Sequence, residues 1–114
     1  MIAVNNRIGF GFLPGSVYDS HSDELKDIKA WSTVLDIGAI VKHIKELQPG
    51  YMCGVSRSND AFTGELFPAA IYDDGPFVFP VDILRYLERG DIHGIPKEYE
   101  EYLISEHGLT PLQP

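Results

Sequence analysis

The sequence predicts one α+β domain over residues 1–114, in which a small antiparallel β-sheet packs against a central amphipathic helix and two further helices follow at the C-terminal end. A chain of 114 residues, 44% of them hydrophobic, is long enough to bury one core without disulfide bonds. Apolar residues recur at helical spacing over residues 37–47, and shorter runs with strand character flank that segment. Pro and Gly residues separate these runs, so each run is predicted to form its own element.

The N-terminal third contains three weaker signals. Residues 7–12 alternate apolar side chains with Gly9 and Gly11, a period of two that predicts a strand. Residues 22–25 have the acidic character of a helix start, and they predict a short helix that buries Leu25 and Ile28. Residues 30–35 are rich in strand-forming side chains and predict another strand.

The central helix is predicted over residues 37–47. Asp36 is its predicted N-cap, and Pro49 and Gly50 are expected to end it. The apolar side chains follow the i, i+3, i+4, i+7 spacing of one buried face: Ile37, Ile40, Val41, Ile44 and Leu47.

The second half begins with strands and ends with helices. Residues 51–57 and 66–73 predict strands, and the turn sequence at residues 73–76 predicts a hairpin over residues 67–79. A helix is expected after Pro80, closed by Gly90, and a last helix after Pro96, closed by Gly108.

The excess of negative over positive charge lies entirely in the second half of the chain. Residues 1–57 hold six acidic and six basic side chains, whereas residues 58–114 hold eleven and three, and the formal net charge is −8. Such a field repels nucleic acid and anionic membranes, and it attracts a basic partner. We therefore expect no binding to nucleic acid or membrane. The single Cys53 cannot form an internal disulfide, and neither a signal peptide nor a long apolar run is evident, so a cytoplasmic protein is expected.

No motif specifies a reaction. Cys53 lies in a predicted strand without features that lower a thiol pKa. His43 lies beside the apolar stripe of the central helix, as a boundary residue or a general base. His107 is expected to interact with the negative end of the last helix. Residues 19–24, with Asp91 and His93, offer possible metal ligands, but their spacing matches no known site. We expect no catalytic residue, no metal and no cofactor.

Carboxylates and tyrosines are interleaved in the C-terminal region. Acidic side chains steer and pair with Arg and Lys of a partner, and tyrosines are favoured at interfaces. A solvated acidic face with half-buried tyrosines is the structural alternative. The residues predicted to bind a partner are Asp82, Tyr86, Asp91, Glu98, Tyr99, Glu100, Glu101 and Tyr102.

The chain resembles the small acidic immunity proteins with which bacteria neutralise their own toxins, including those of contact-dependent inhibition systems. The resemblance is one of general character and depends on the small size, the single Cys53, the lack of catalytic motifs and the cluster at residues 98–102. It implies a cytoplasmic protein that binds a cognate toxin domain, a basic nuclease, and covers its active site or substrate groove.

Two other functions stay open at the level of sequence. One is a small enzyme or ligand-binding domain with a cleft near Cys53 and His43. The other is an acidic adaptor that binds a partner protein without inhibiting it.

Overall fold

The structure is a computed structural model that describes residues 1–4, 6–14, 22–47 and 49–112, with the side chains of residue 4 and residues 49–56 outside that description. It is an α+β fold, as predicted. The elements in chain order are β1 (Ile2–Val4), β2 (Arg7–Gly9), α1 (Leu25–Ala30), α2 (Ile37–Glu46), β3 (Pro49–Asn59), β4 (Leu66–Asp74), β5 (Phe77–Pro80), α3 (Val81–Arg89) and α4 (Lys97–His107).

The five strands form one sheet in the order β1-β2-β5-β4-β3. The β4–β5 hairpin is antiparallel, as predicted, and β3 pairs antiparallel with β4. The predicted small antiparallel sheet is present in β3, β4 and β5, and the sheet as a whole is mixed because β2 pairs parallel with β5. The amide of Ile8 donates to the carbonyl of Pro76 at 2.7 Å, and that of Phe10 to the carbonyl of Val78 at 3.1 Å. This pairing brings the N-terminal strands beside a strand nearly seventy positions away.

The helices agree well with the sequence prediction. The carboxylate of Asp36 accepts a hydrogen bond from the amide of Ala39 and caps α2, and Ile40 and Ile44 on its inner face are buried. Both C-terminal helices end at the predicted glycines, Gly90 and Gly108, which adopt the left-handed conformation. α1 begins at Leu25 and buries Ile28, with Glu24 as its N-cap.

Two predicted strands differ in the structure. Only Arg7–Gly9 of residues 7–12 joins the sheet, while Phe10 and Phe12 continue beyond it with fully buried side chains. Residues 31–36 form no strand: they are a loop that packs Leu35 into the core. β1 was not predicted, because three residues are too few to establish a period.

The core lies between the sheet and the helices. Aromatic rings occupy its centre, with Phe10 stacked on Phe79 at 4.9 Å between ring centroids and Tyr99 at 5.1 Å from Phe10. Helices α2 and α3 supply the aliphatic part through residues such as Ile44 and Ile83. Such aromatic pairs add to the free energy gained from burial.

Candidate functional site

The predicted partner-binding residues divide between the core and the surface. Glu98 and Glu101 are exposed, and Asp91 and Tyr102 are partly exposed. The other four are buried and cannot contact a partner in this fold: Asp82, Tyr86, Tyr99 and Glu100. Partner binding as such stays a prediction, but its surface is reduced to the exposed members.

Tyr86 and Tyr99 are core residues with a satisfied hydroxyl group. The hydroxyl of Tyr86 accepts a hydrogen bond from the amide of Ala61 at 3.0 Å, and burial raises the pKa of Tyr86 to about 12. Tyr99 is completely buried, and its ring lies 5.2 Å from that of Phe77. Burial, together with the nearby Asp74, raises the pKa of Tyr99 above its ordinary value, so its hydroxyl remains a donor.

Glu100 ties the loop before α2 to α4. Its Oε1 accepts from the hydroxyl of Thr33 at 2.7 Å and from the amide of Val34 at 2.8 Å. The loop of residues 31–36 thus receives side-chain hydrogen bonds in place of the strand pairing that the sequence suggested.

Asp60 is a buried carboxylate held by two arginines of α3. Arg85 Nε donates to Oδ2 at 2.8 Å, and Arg89 Nη1 donates to the same oxygen at 2.6 Å. Oδ1 accepts from the amides of Phe62 and Thr63. The guanidinium of Arg89, together with that of Arg85, holds the pKa of Asp60 well below its ordinary value despite burial.

Asp82 is also buried, but no cationic side chain among the described residues is hydrogen-bonded to it. Burial raises its pKa to about 6, a shift that a hydrogen bond from Ser58 opposes. Within the described part of the chain, its Oδ1 has no hydrogen-bond partner. Burial of the charged Asp82 carboxylate therefore lowers the free energy of unfolding.

The outer side of α4 keeps an acidic surface. Glu98, Tyr102 and Glu106 follow one another at intervals of four residues and so line one stripe of the helix, with Glu101 beside it. The three glutamates are exposed and form no salt bridge with any residue that the structure describes. We call Glu98, Glu101, Tyr102 and Glu106 the α4 acidic face.

Most other acidic side chains of the second half are neutralised at short range. Arg7 pairs with Asp73, Lys45 with Glu88 and Arg85 with Glu65. The partly exposed Asp91 pairs with Arg89. Among the described residues, the exposed acidic side chains of the second half that form no salt bridge are therefore the three glutamates of the α4 acidic face.

A second cluster surrounds Asp74, at the end of β4. Its side chain is 3% exposed. Oδ2 accepts from the hydroxyl of Tyr99 at 2.7 Å and lies 2.8 Å from His43 Nε2. Oδ1 lies 3.1 Å from His107 Nε2 and 3.4 Å from the hydroxyl of Tyr102. We call His43, Asp74, Tyr99, Tyr102 and His107 the Asp74 cluster.

The two imidazoles of the Asp74 cluster contact opposite oxygens of the same carboxyl group. Each contact is a hydrogen bond to a carboxylate when the histidine has its hydrogen on Nε2. The two imidazole rings lie 4.4 Å apart between centroids. His43 is 13% exposed in its side chain and His107 34%, so the cluster is closed at α2 and opens toward solvent at the end of α4.

The turn after β4 makes room for this arrangement. Gly75 has a φ of +57°, and a Cβ at this position would overlap the hydroxyl oxygen of Tyr102. Any side chain at Gly75 would therefore displace Tyr102 from the cluster.

The sequence did not predict the Asp74 cluster. His43 is a boundary residue of α2, as one of the alternatives held, and His107 contacts Asp74 as well as ending its helix. The three residues that converge are more than thirty positions apart, so no spacing rule could group them. The local signals were two histidines on predicted helices and an aspartate before a glycine turn.

The proposed ligand segment at residues 19–24 is explained by local structure where it is described. Asp23 accepts from the amide of Gly11 at 2.7 Å and from the hydroxyl of Ser22, and Glu24 caps α1. His93 is exposed on the loop before α4. Residues 19–21 lie outside the described residues.

The cleft suggested near Cys53 and His43 stays a prediction. Nε2 of His43 faces the buried Asp74. The side chain of Cys53 lies outside the described residues. A groove of about 510 Å³ lies elsewhere, lined by Phe67, Val81, Leu84, Arg85, Glu88 and Arg89.

Comparison with protein-family models, with curated proteins and with solved structures finds no match for this chain. Among the described residues, none of the helices has the length and apolar character needed to span a bilayer.

Proposed function

We propose that this protein binds a basic partner protein through the α4 acidic face, and that it acts as an immunity protein which neutralises a cognate toxin domain with nuclease activity. The observation that carries the proposal is the exposed set of Glu98, Glu101 and Glu106 on a helix whose only lysine or arginine is Lys97. Carboxylates left without a partner keep their long-range field, which speeds the encounter with a basic protein.

Tyr102 adds an aromatic residue to the glutamates of the α4 acidic face. Tyr102 is half-buried and lies between Glu98 and Glu106 along the stripe, so its accessible part lies next to two carboxylates. Tyrosine is enriched among the residues that dominate binding energy. A nuclease normally holds phosphates in a basic groove, and carboxylates presented by a rigid helix occupy such a groove with the same sign of charge.

The partner is sought first by affinity capture of the tagged protein, co-expressed with its neighbouring genes. A triple variant, Glu98→Gln with Glu101→Gln and Glu106→Gln, is then compared with the wild type for association with the purified partner. We expect association at low salt to slow by roughly tenfold or more and to lose most of its salt dependence, because surface charges act mainly on the association rate.

A matched triple variant controls for total charge: Glu46→Gln, Glu65→Gln and Glu88→Gln remove three exposed carboxylates outside α4. It is expected to slow association by less than about threefold, since long-range charge has only a general effect. Equal losses in both triple variants would contradict binding through the α4 acidic face. A partner that binds tightly but is harmless when expressed alone would replace the immunity function with that of an adaptor.

A further inference from the structure

The Asp74 cluster contains three side chains of the types that bind metal ions. His43, Asp74 and His107 each offer one ligand atom, and these atoms all lie within 4.8 Å of one another. They come from three elements, α2, the end of β4 and the end of α4, so the folded chain holds them together at three separate points. This convergence is independent of the α4 acidic face.

We propose that His43, Asp74 and His107 form a binding site for a divalent transition-metal ion of the Zn²⁺ class. Two imidazole nitrogens and one carboxylate oxygen are a common three-residue ligand set for such ions, whereas Mg²⁺ and Ca²⁺ prefer oxygen ligands alone. The position that remains is open to water or to a donor group from another molecule.

The distances suit this ion with small adjustments. Ligand bonds of about 2.0–2.2 Å in tetrahedral geometry place ligand atoms roughly 3.3–3.5 Å apart. His43 Nε2 lies 2.8 Å from Oδ2 of Asp74, and His107 Nε2 lies 3.1 Å from Oδ1 of the same carboxylate. One ligand atom from each of the three residues lies within 4.8 Å of the other two, so a tetrahedral site requires side-chain shifts on the order of 1 Å. The ion binds the imidazole tautomer that has its hydrogen on Nδ1, because this tautomer leaves the Nε2 lone pair free.

The surroundings supply the outer contacts that such a site needs. The hydroxyl of Tyr99 donates to Asp74 Oδ2 and holds the carboxylate in place from the buried side. The hydroxyl of Tyr102 lies 3.2 Å from His107 Nε2 and flanks the site on its other side. The exposed edge of His107 gives the ion a path from solvent.

The test uses the untagged full-length chain after treatment with a chelator. Titration with Zn²⁺ in a calorimeter should give one ion per chain with micromolar or tighter affinity, and Mg²⁺ should give no binding under the same conditions. Co²⁺ should produce the visible absorption bands of a low-coordinate site with nitrogen and oxygen ligands. A lack of stoichiometric Zn²⁺ binding would overturn the proposal.

Variants decide which residues bind the ion. His107→Gln should weaken Zn²⁺ binding at least tenfold, while His93→Gln, which changes another exposed histidine, should leave it unchanged. Circular dichroism checks that each variant is folded, and His43→Gln replaces His107→Gln if the latter unfolds. Equal Zn²⁺ affinity in the wild type and the folded variant of either ligand histidine would show that the Asp74 cluster is a hydrogen-bond network only.

Discussion

Buried carboxylates carry much of the acidic character that the sequence presents as surface charge. Of the eleven acidic residues in the second half, Asp60, Asp74, Asp82 and Glu100 are buried. Asp60, Asp74 and Glu100 connect distant parts of the chain through hydrogen bonds. Among the described residues, Oδ1 of Asp82 has no hydrogen-bond partner. Composition gives the number of charges but not their depth, so sequence reasoning assigned Asp82 and Glu100 to a surface.

Substitution of Asp60 tests directly whether a buried carboxylate stabilises the fold. Asp60→Asn should lower the free energy of unfolding by about 2–4 kcal/mol, because two guanidinium groups lose the carboxylate that they share. This is somewhat less than for a fully buried pair, since the arginine side chains are 28% and 32% exposed. Urea denaturation monitored by circular dichroism measures the change.

The control for Asp60 is another partner of the same arginine. Glu65 pairs with Arg85, but its side chain is 67% exposed. Glu65→Gln should change the free energy of unfolding by less than about 1 kcal/mol, as is usual for surface pairs. A similar loss in both variants would mean that burial of Asp60 does not decide the strength of its ion pairs.

The raised pKa of Asp82 predicts that its contribution to stability falls as the pH rises, whereas that of Asp60, whose pKa is lowered, grows. The pKa of Asp82 is raised from 3.8 to about 6, so the folded state holds the proton more tightly than the unfolded state. The contribution of Asp82 to stability is therefore greatest below pH 4 and is lost as the pH rises through 6. Asp82→Asn removes this loss and should gain about 1–3 kcal/mol relative to the wild type between pH 4 and pH 7.5.

The measurement for Asp82 is urea denaturation of both proteins at the two pH values. Other groups titrate equally in both proteins, so only the difference between the two unfolding free energies is informative. A difference that stays constant between pH 4 and pH 7.5 would contradict a raised pKa for Asp82.

At the scale of elements, local signals predicted the helices and missed one pairing of strands. α2 was predicted to within one residue because its apolar period and the Asp36 cap are both local features. The parallel contact of β2 with β5 depends on the whole fold, and the short segment of residues 7–12 carries no information about its neighbour. The loop of residues 31–36 looked like a strand because it contains Trp31, Val34 and Leu35, but only Leu35 is buried. Glu100 provides hydrogen bonds to this loop in place of a neighbouring strand.

The turn between β4 and β5 allows a prediction with an internal control. Gly75 and Gly64 both have positive φ, but only at Gly75 would a Cβ meet another group, the hydroxyl of Tyr102. Gly64→Ala should cost about 1 kcal/mol from backbone strain alone. Gly75→Ala should cost clearly more, since Tyr102 must also move away from Asp74 and His107.

Thermal denaturation of the two alanine variants measures this difference. Near-ultraviolet circular dichroism should also change in Gly75→Ala, as Tyr102 shifts, and should remain as in the wild type in Gly64→Ala. Equal melting temperatures for the two variants would show that the approach of Tyr102 to the turn is not energetically important.

At the scale of the whole molecule, α4 contributes residues to both the Asp74 cluster and the α4 acidic face. Its inner side supplies Tyr99 and His107 to the Asp74 cluster, and its outer side presents Glu98 and Glu101. The sequence indicated the importance of this region from its acids and tyrosines. It could not separate the inner from the outer residues, because acids and tyrosines occur on both sides of the helix.

The proposed role of the α4 acidic face is to bind and neutralise a toxic basic partner. Its most direct test is bacterial growth with the captured partner expressed alone, with the wild-type protein, and with each of the two triple variants. We expect the partner alone to arrest growth, the wild type and the control variant to restore it, and the variant of Glu98, Glu101 and Glu106 to fail although it is folded. Full protection by that variant, or a partner that is harmless when expressed alone, would contradict the claim.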